Sequence, residues 1–401
     1  MEVTEPKRVL FVQGGHYAQA FNRFRAGGDE TFFAQKYSVD FVGELAERDD
    51  VDEVVQLCTT RDLDEQTLDN GVRQLGINQW PAGSPTRTNE LVALALSLKP
   101  THMITNTPTT ALIRAARKAG IEIFPLLADS FRVAGLKAKL RYWWLAHNLR
   151  HRDIRWVANR NLKASQDLER IGIQGSKIVP FDWPAVITPE DFAPKTKAVD
   201  ATVPNLLYVG QVIVGKGVGD LVDAVARLKS AGVQCRLTII GNGDIDSFRK
   251  QAAQSGVSDN VAFMGTLPHT EVLAAMHRSD VVLVPSRHEY PEGMPNVIYE
   301  GLCTHTPLIV SDHPMFETRV KNGKDCLVFP AGNIDELVAA ITRLFDEPAL
   351  YAALASNAEE ACANYLNGAP WGELIEHWLG GTAADDAWLA ERSLASPRFR
   401  S

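Results

Sequence analysis

The chain has 401 residues, 45% hydrophobic and 22% charged, and its 41 Lys and Arg against 49 Asp and Glu leave a net charge of −8. That length predicts two or three domains with full cores, and the acidic balance argues against a dedicated nucleic-acid binder. Five scattered cysteines with no Cys-x-x-Cys pair argue against a disulfide framework or a zinc site, and neither a membrane span (~20 apolar residues) nor a basic secretory leader is visible, so the expected location is the cytoplasm.

In chain order, short apolar runs at 9–13, 51–57, 102–105, 121–127, 156–158 and 177–179 read as strands. The stretches 31–47, 90–98, 110–119 and 162–171 between them read as helices. Runs rich in Val, Ile and Leu without alternation fit strands buried on both faces of a parallel sheet, with helices on both sides. Five prolines between 180 and 204 then break the pattern and read as a linker. Strands resume at 205–209, 236–240, 261–264, 281–284, 308–310 and 326–329, with helices at 218–230, 245–255, 270–279, 296–303 and 334–345. The predicted fold class is α/β: two Rossmann-like βα domains facing across a cleft, with ligands at the carboxyl ends of the strands. The divisions read as 1–180, a linker at 181–204, a second domain at 205–348, helices at 349–380 packing back on the first domain, and a loose tail at 381–401.

The densest chemistry lies between Val284 and Glu300. A buried strand ends at Pro285, a polar loop follows, and Pro295 suits the first turn of a helix. The amides of Gly293, Met294 and Asn296 would then sit at a helix N-terminus, a ready site for a diphosphate. Glu292 and Glu300 are eight positions apart, a little over two helical turns, so both carboxylates can face one cleft. A carboxylate accepts two hydroxyl hydrogens at once, and sugar diols offer that pair. The competing reading is one exposed Glu at a helix start and another on a solvated face.

These residues, with Tyr208-Val209-Gly210, Lys216-Gly217 and Ile239-Ile240-Gly241-Asn242-Gly243, resemble the donor half of a family 4 glycosyltransferase, in the retaining GT-B group. Val261 to Gly265, Ser279-Asp280-Val281 and Pro307 to Asp312 follow in the family's order, while the first half matches loosely. The resemblance implies that Lys216 neutralises the donor β-phosphate, Glu292 contacts the transferred sugar and Glu300 holds the ribose. It also implies that Gly241 and Gly243 let the backbone approach the base. Where the family often carries Arg after the first strand's Gly, this chain has Gln211, which offers two hydrogens and no charge; Arg287 is the candidate second cation.

Gly14-Gly15 follows the first strand, either as a backbone approach to donor or acceptor or as an ordinary turn. Asp129, after the strand at 121–127, either orients the acceptor hydroxyl or caps a helix. Three Asp-x-Asp triplets at Asp50, Asp62 and Asp244 arise readily in so acidic a chain, and neither a metal nor a cofactor is expected. Residues 131–163 hold nine basic side chains, one acid, and Tyr142, Trp143, Trp144 and Trp156. This suits an anionic membrane surface, at the inner face of the membrane, or a charged helix packing its aromatics on the sheet.

The expected function is transfer of a hexosyl group from a nucleoside diphosphate sugar to a saccharide or glycolipid acceptor in polysaccharide or glycolipid synthesis. The rivals are a nucleotide-sugar epimerase on a similar scaffold and a non-catalytic sugar-binding partner.

Overall fold

The computed structural model describes residues 6–79, 85–131, 135–196, 198 and 203–399. Features read from the sequence at 1–5, at Arg132, in part of 197–202 and at the very end of the tail lie outside those residues. The chain divides into two compact units.

The first unit takes the described residues up to Gly28, then Ala34–Pro184, and the chain from Asn367 on. Its elements are β1 (Lys7–Gln13), α1 (Tyr17–Arg25), α2 (Gln35–Ala46), β2 (Val51–Cys58), β3 (Leu63–Thr67), β4 (Arg73–Gly76), α3 (Pro85–Ser97), β5 (His102–Thr105), α4 (Thr110–Lys118), β6 (Glu122–Leu127), α5 (Gly135–Leu149), β7 (Val157–Arg160), α6 (Leu162–Arg170) and β8 (Ile178–Phe181). The sheet order is β3-β4-β2-β1-β5-β6-β7-β8. All pairings are parallel except β3 with β4. Leu10, Phe11 and Val12 are buried, with Phe11 in one core cluster and Leu10 and Val12 in the other, as a sheet covered on both faces requires. β3 was not expected: Leu63–Thr67 is polar, mostly exposed and at the sheet edge, so it carries no apolar pattern.

The second unit takes Ala185–Leu366 and, in addition, Asp29–Phe33. It contains β9 (Asn205–Val209), α7 (Val218–Ser230), β10 (Arg236–Ile240), α8 (Ile245–Gln254), β11 (Val261–Gly265), α9 (His269–Arg278), β12 (Val281–Val284), α10 (Asn296–Cys303), β13 (Leu308–Ser311), β14 (Leu327–Phe329), α11 (Ile334–Asp346), α12 (Pro348–Ser356) and α13 (Ala358–Tyr365). Its sheet runs β11-β10-β9-β12-β13-β14, all parallel. The strand order reverses at β9, which pairs with both β10 and β12 and so puts a crevice at its carboxyl end.

The stretch expected as a linker is built into the second unit from Ala185 on. It forms a single 3-10 turn at Pro189–Asp191. It also buries Lys195, whose amine donates to the carbonyls of Met276 and Ser279 and to the Thr306 hydroxyl at 3.3, 2.7 and 2.7 Å.

Helices α12 and α13 stay with the second unit, so the chain returns to the first at Asn367, later than the expected 349. Two helices follow, α14 (Trp371–Gly380) and α15 (Ala383–Glu391). Trp371, Leu374, Ile375 and Trp378 of α14 enter the first unit's core, and Trp378 stacks on Phe124 at 5.1 Å.

The stretch 381–401, expected as a loose tail, is ordered over its described part. A capping box of Thr382 and Asp385 starts α15. Leu389 is fully buried, and the Leu394 amide donates to the Ile178 carbonyl at 2.9 Å. Helix α15 buries only one of its residues, which leaves little periodicity for the sequence to reveal.

Candidate active site

The crevice of the second unit opens into a cavity of about 570 Å³ at the carboxyl ends of β9, β10 and β11. Gln211, Lys216, Gly241, Gly243, Pro295, Asn296 and Glu300 all line it. These seven come from three loops and a helix, and all were singled out from the sequence.

Backbone packing fixes two of those loops. Gly210, Gly241 and Gly243 have φ of 153°, 143° and 149°. A Cβ on Gly241 would stand 1.8 Å from the Gly210 carbonyl oxygen, and one on Gly243 would stand 2.3 Å from that of Val212. Hydrogen bonds from Val212 N to Asn242 O (2.9 Å) and from Asp244 N to Val212 O (2.8 Å) lock the loops together. The glycines are therefore demanded by the meeting of two loops, where the sequence suggested only an approach to a base.

The Lys216 loop is locked in the same way onto the segment after β12. Gly217 has φ 73°, and a Cβ there would meet the Pro285 carbonyl oxygen at 2.2 Å. The Arg287 amide donates to Gly215 O at 2.9 Å. The Lys216 amine thus stands 4.8 Å over the Tyr290 ring and bonds the Glu292 carboxylate, which also accepts from the Ser286 hydroxyl at 2.5 Å. Glu292 is 5% exposed. A carboxylate so buried needs this company, because an unpaired charge there would carry a large desolvation penalty.

Arg287, the candidate second cation, is engaged elsewhere. Its guanidinium forks onto Asp220 in the first turn of α7, and it is absent from the cavity wall. Gln211 accepts from the Tyr290 hydroxyl at 3.1 Å through its amide oxygen, so the amide nitrogen is the end left to donate. Met294 is buried, and Gly293 lies beside it in the loop before α10. The N-cap of α10 is Pro295, whose carbonyl accepts from the Tyr365 hydroxyl at 3.0 Å.

Glu300 is 5% exposed and faces His269, with Nε2 to Oε1 at 2.8 Å. The other ring nitrogen reaches the Glu30 carboxylate at 3.3 Å. Burial alone would lower the His269 pKa, but the bonds to Glu30 and Glu300 outweigh it and raise it to about 9. His269 and the wall formed by Thr31, Phe32 and Phe33 were missed at sequence level. The only local signal was a histidine directly after Pro268, just past the end of β11.

Gly14, Gly15 and Asp129 belong to the first unit. Gly14 and Gly15 follow β1, where the strand order reverses. Neither has a positive φ, and a Cβ on Gly15 would meet nothing closer than 3.9 Å. Asp129 is exposed after β6, and no helix begins at the next residue. Among the described residues, no group of three His, Cys, Asp or Glu is arranged to hold a metal. The triplet residues are used locally: Asp50 pairs with Lys7 and Arg48, and Asp244 caps α8.

Comparison with known proteins matches residues 190–361, which contain the whole cavity apart from its 31–33 wall, to the family described as glycosyl transferases group 1. This segment is similar to a group 1 glycosyl transferase domain. It is 36% identical over 146 residues to a glycogen synthase of Mycobacterium tuberculosis, covering 36% of this chain and 34% of that one. The match thus spans about a third of the relative's own length. Among solved structures, sucrose-phosphate synthase from Thermosynechococcus elongatus superposes with a TM-score of 0.67 at 19% identity, over 94% of this chain and 100% of the other. Anabaena Alr3699/HepE in complex with UDP gives 0.63 at 14% identity, over 90% and 95%. The two parallel-sheet α/β units make the fold GT-B.

Proposed function

We propose that the chain is a retaining glycosyltransferase of family 4 that moves a hexosyl group from a nucleoside diphosphate sugar to a hydroxyl acceptor. The observation that carries this reading is one cavity that gathers Lys216, the first turn of α10 and the carboxylate of Glu300. A cation and helix-terminal amides suit a diphosphate, and a buried carboxylate suits the ribose diol. That UDP is named in complex with a protein of the same fold supports a nucleotide as a ligand of this fold.

In this reading the Lys216 amine turns from Glu292 to the β-phosphate when donor binds, and Glu292 exchanges that contact for hydroxyls of the transferred sugar. The Gln211 amide nitrogen adds a neutral donor to the diphosphate. Arg287 fixes the loop through Asp220 and leaves the phosphate to Lys216 and to the amides near Gly293, Met294 and Asn296. The acceptor oxygen bonds to the anomeric carbon as the bond from that carbon to the diphosphate oxygen breaks, and the departing phosphate oxygen takes the acceptor's proton on the same face. Lys216 and the helix amides stabilise the charge that develops there, which is preorganised electrostatic catalysis. Gly14, Gly15 and Asp129 would serve the acceptor side; at Gly15 no backbone constraint or close neighbour demands glycine, which leaves room for a ligand's close approach. The test is release of nucleoside diphosphate from a panel of nucleotide sugars by wild type and by Glu292→Gln and Glu300→Gln. Both variants should be impaired, and wild-type rates in both would overturn the assignment.

A lipid-linked acceptor is favoured by α5. Leu136, Leu140, Trp143 and Trp144 are 85%, 60%, 50% and 48% exposed. At helical spacing they form one stripe, and exposed Lys137 and Lys139 flank it. The alternative of aromatics packed on the sheet holds for Tyr142, which meets Phe131 at 5.6 Å, and for the buried Trp156, but not for Trp143 and Trp144. An apolar stripe bordered by lysines in an acidic chain fits an anionic lipid surface. No helix among the described residues is long and apolar enough to cross a membrane.

A further inference from the structure

Residues Asp29–Phe33 belong to the second unit although the chain on either side of them belongs to the first. Two kinds of contact hold this five-residue segment. The His269 amide donates to Glu30 O at 3.0 Å, and the Thr270 hydroxyl donates to the Asp29 carboxylate at 3.2 Å. Phe33 is 3% exposed and sets its ring edge-on to His269 at 6.1 Å and to Tyr299 at 5.6 Å. Phe32, by contrast, is 49% exposed, and it lines the same cavity as Gly241, Asn242 and Gly243. A large apolar ring anchored on a fixed backbone and left uncovered in the pocket suits a flat ligand group.

The charge arrangement points the same way. His269 sits between two carboxylates, Glu30 on the segment and Glu300 on α10. Only the imidazolium form donates from both ring nitrogens at once. One histidine therefore couples the position of the segment to the orientation of Glu300.

We propose that residues 29–33 are a nucleoside strap: Phe32 stacks on the base of a nucleoside diphosphate, and the Glu30–His269–Glu300 bridge fixes both the strap and the ribose-binding carboxylate. This rests on the nucleotide-sugar reading of the cavity. His269 and Glu30 are positioning residues that act through Glu300, whereas Phe32 touches the ligand. The ionisable groups facing His269 are Glu30 from the strap and Glu300 from α10. Asp29 flanks it through Thr270, and the Tyr299 hydroxyl beyond Phe33 is pushed upward by burial, out of the range of interest.

The sign of the pH effect follows. The folded pKa of about 9 lies above the ordinary value of 6.5, so the bridge is intact at neutral pH and is lost as pH rises through about 9. Donor affinity should hold to about pH 8 and weaken above 9.

The experiment is calorimetric titration of UDP, ADP and GDP into the full chain from pH 7 to 10, with donor KM and kcat for the matching nucleotide sugar. The proteins are wild type, Phe32→Ala, His269→Gln, Glu30→Gln and Glu300→Gln. Phe32 is too exposed for its loss to threaten folding. Phe32→Ala should weaken the best diphosphate about tenfold, a stacking-sized effect, and raise donor KM more than it lowers kcat. His269→Gln and Glu30→Gln should raise donor KM more than they lower kcat and should abolish the alkaline loss of affinity. Phe32→Ala binding as wild type does, or an alkaline limb that survives His269→Gln, overturns the strap. Failure of all three diphosphates to bind, or Glu300→Gln binding unchanged, overturns the underlying reading instead.

Discussion

The proposed roles of Lys216 and Glu292 fall on a pair that the fold also uses structurally. Their ion pair is largely buried, with side-chain exposures of 16% and 6%. Removing one partner strands the other, which typically destabilises by about 3–5 kcal/mol for a buried pair. Lys216→Ala should therefore lower both stability and donor turnover, the latter by about 10²–10³-fold if the amine supports the leaving charge. Adding Glu292→Gln should restore much of the melting temperature and none of the activity, as a double-mutant cycle would read. Gly241 carries a purely backbone prediction. Gly241→Ala puts a methyl into the Gly210 carbonyl at a φ that disfavours side chains, so thermal unfolding should show a loss of about 2 kcal/mol or more. At this scale the sequence made Glu292, Glu300 and Lys216 legible, because strand ends, glycines and a helix start are local patterns. His269 and Glu30 were not legible: their pairing spans 239 positions, and no local spacing encodes it.

At the scale of elements, apolar central strands were the readable part, while β4 (Arg73–Gly76), with its buried Gln74, was not read. Central strands such as β9 and β12 are short apolar runs, and both were placed at their observed bounds. The edge strand β3, with its polar Leu63–Thr67, and the single-leucine helix α15 escaped because neither shows a buried face with a regular period. Yet α14 and α15 matter to the first unit's core. Trp378 is 1% exposed against Phe124, so Trp378→Ala should cost about 3–5 kcal/mol in denaturant unfolding. Arg155 joins Glu122 of β6 to Asp386 on α15 at 2.5 and 2.9 Å, so truncation after Gly380 should also lower the unfolding midpoint. Helix α5 carries the opposite expectation. Trp143→Ser with Trp144→Ser removes exposed rings, so unfolding should be unchanged while co-sedimentation with vesicles containing anionic lipid is lost. Retained sedimentation would remove α5 as the docking element.

For the whole molecule, the two-domain α/β plan was legible in the alternation of apolar runs and helices on either side of a proline-rich stretch. The re-entry of the chain into the first unit at Asn367 and the transfer of Asp29–Phe33 to the second were not, because both are choices of packing partner made in three dimensions. The net charge of −8 likewise hides a basic stretch at 131–163, of which Lys137 and Lys139 stand exposed on α5 while Arg155 pairs with Glu122 and Asp386. The proposed transfer reaction depends most on the second unit's cavity. Its most direct test is the initial rate at which nucleoside diphosphate is released from a panel of nucleotide hexoses by wild type and by Lys216→Ala. The expected result is release from at least one donor, slowed at least about 100-fold in the variant. Consumption of no nucleotide sugar by the wild type, or equal rates in the two proteins, would contradict it.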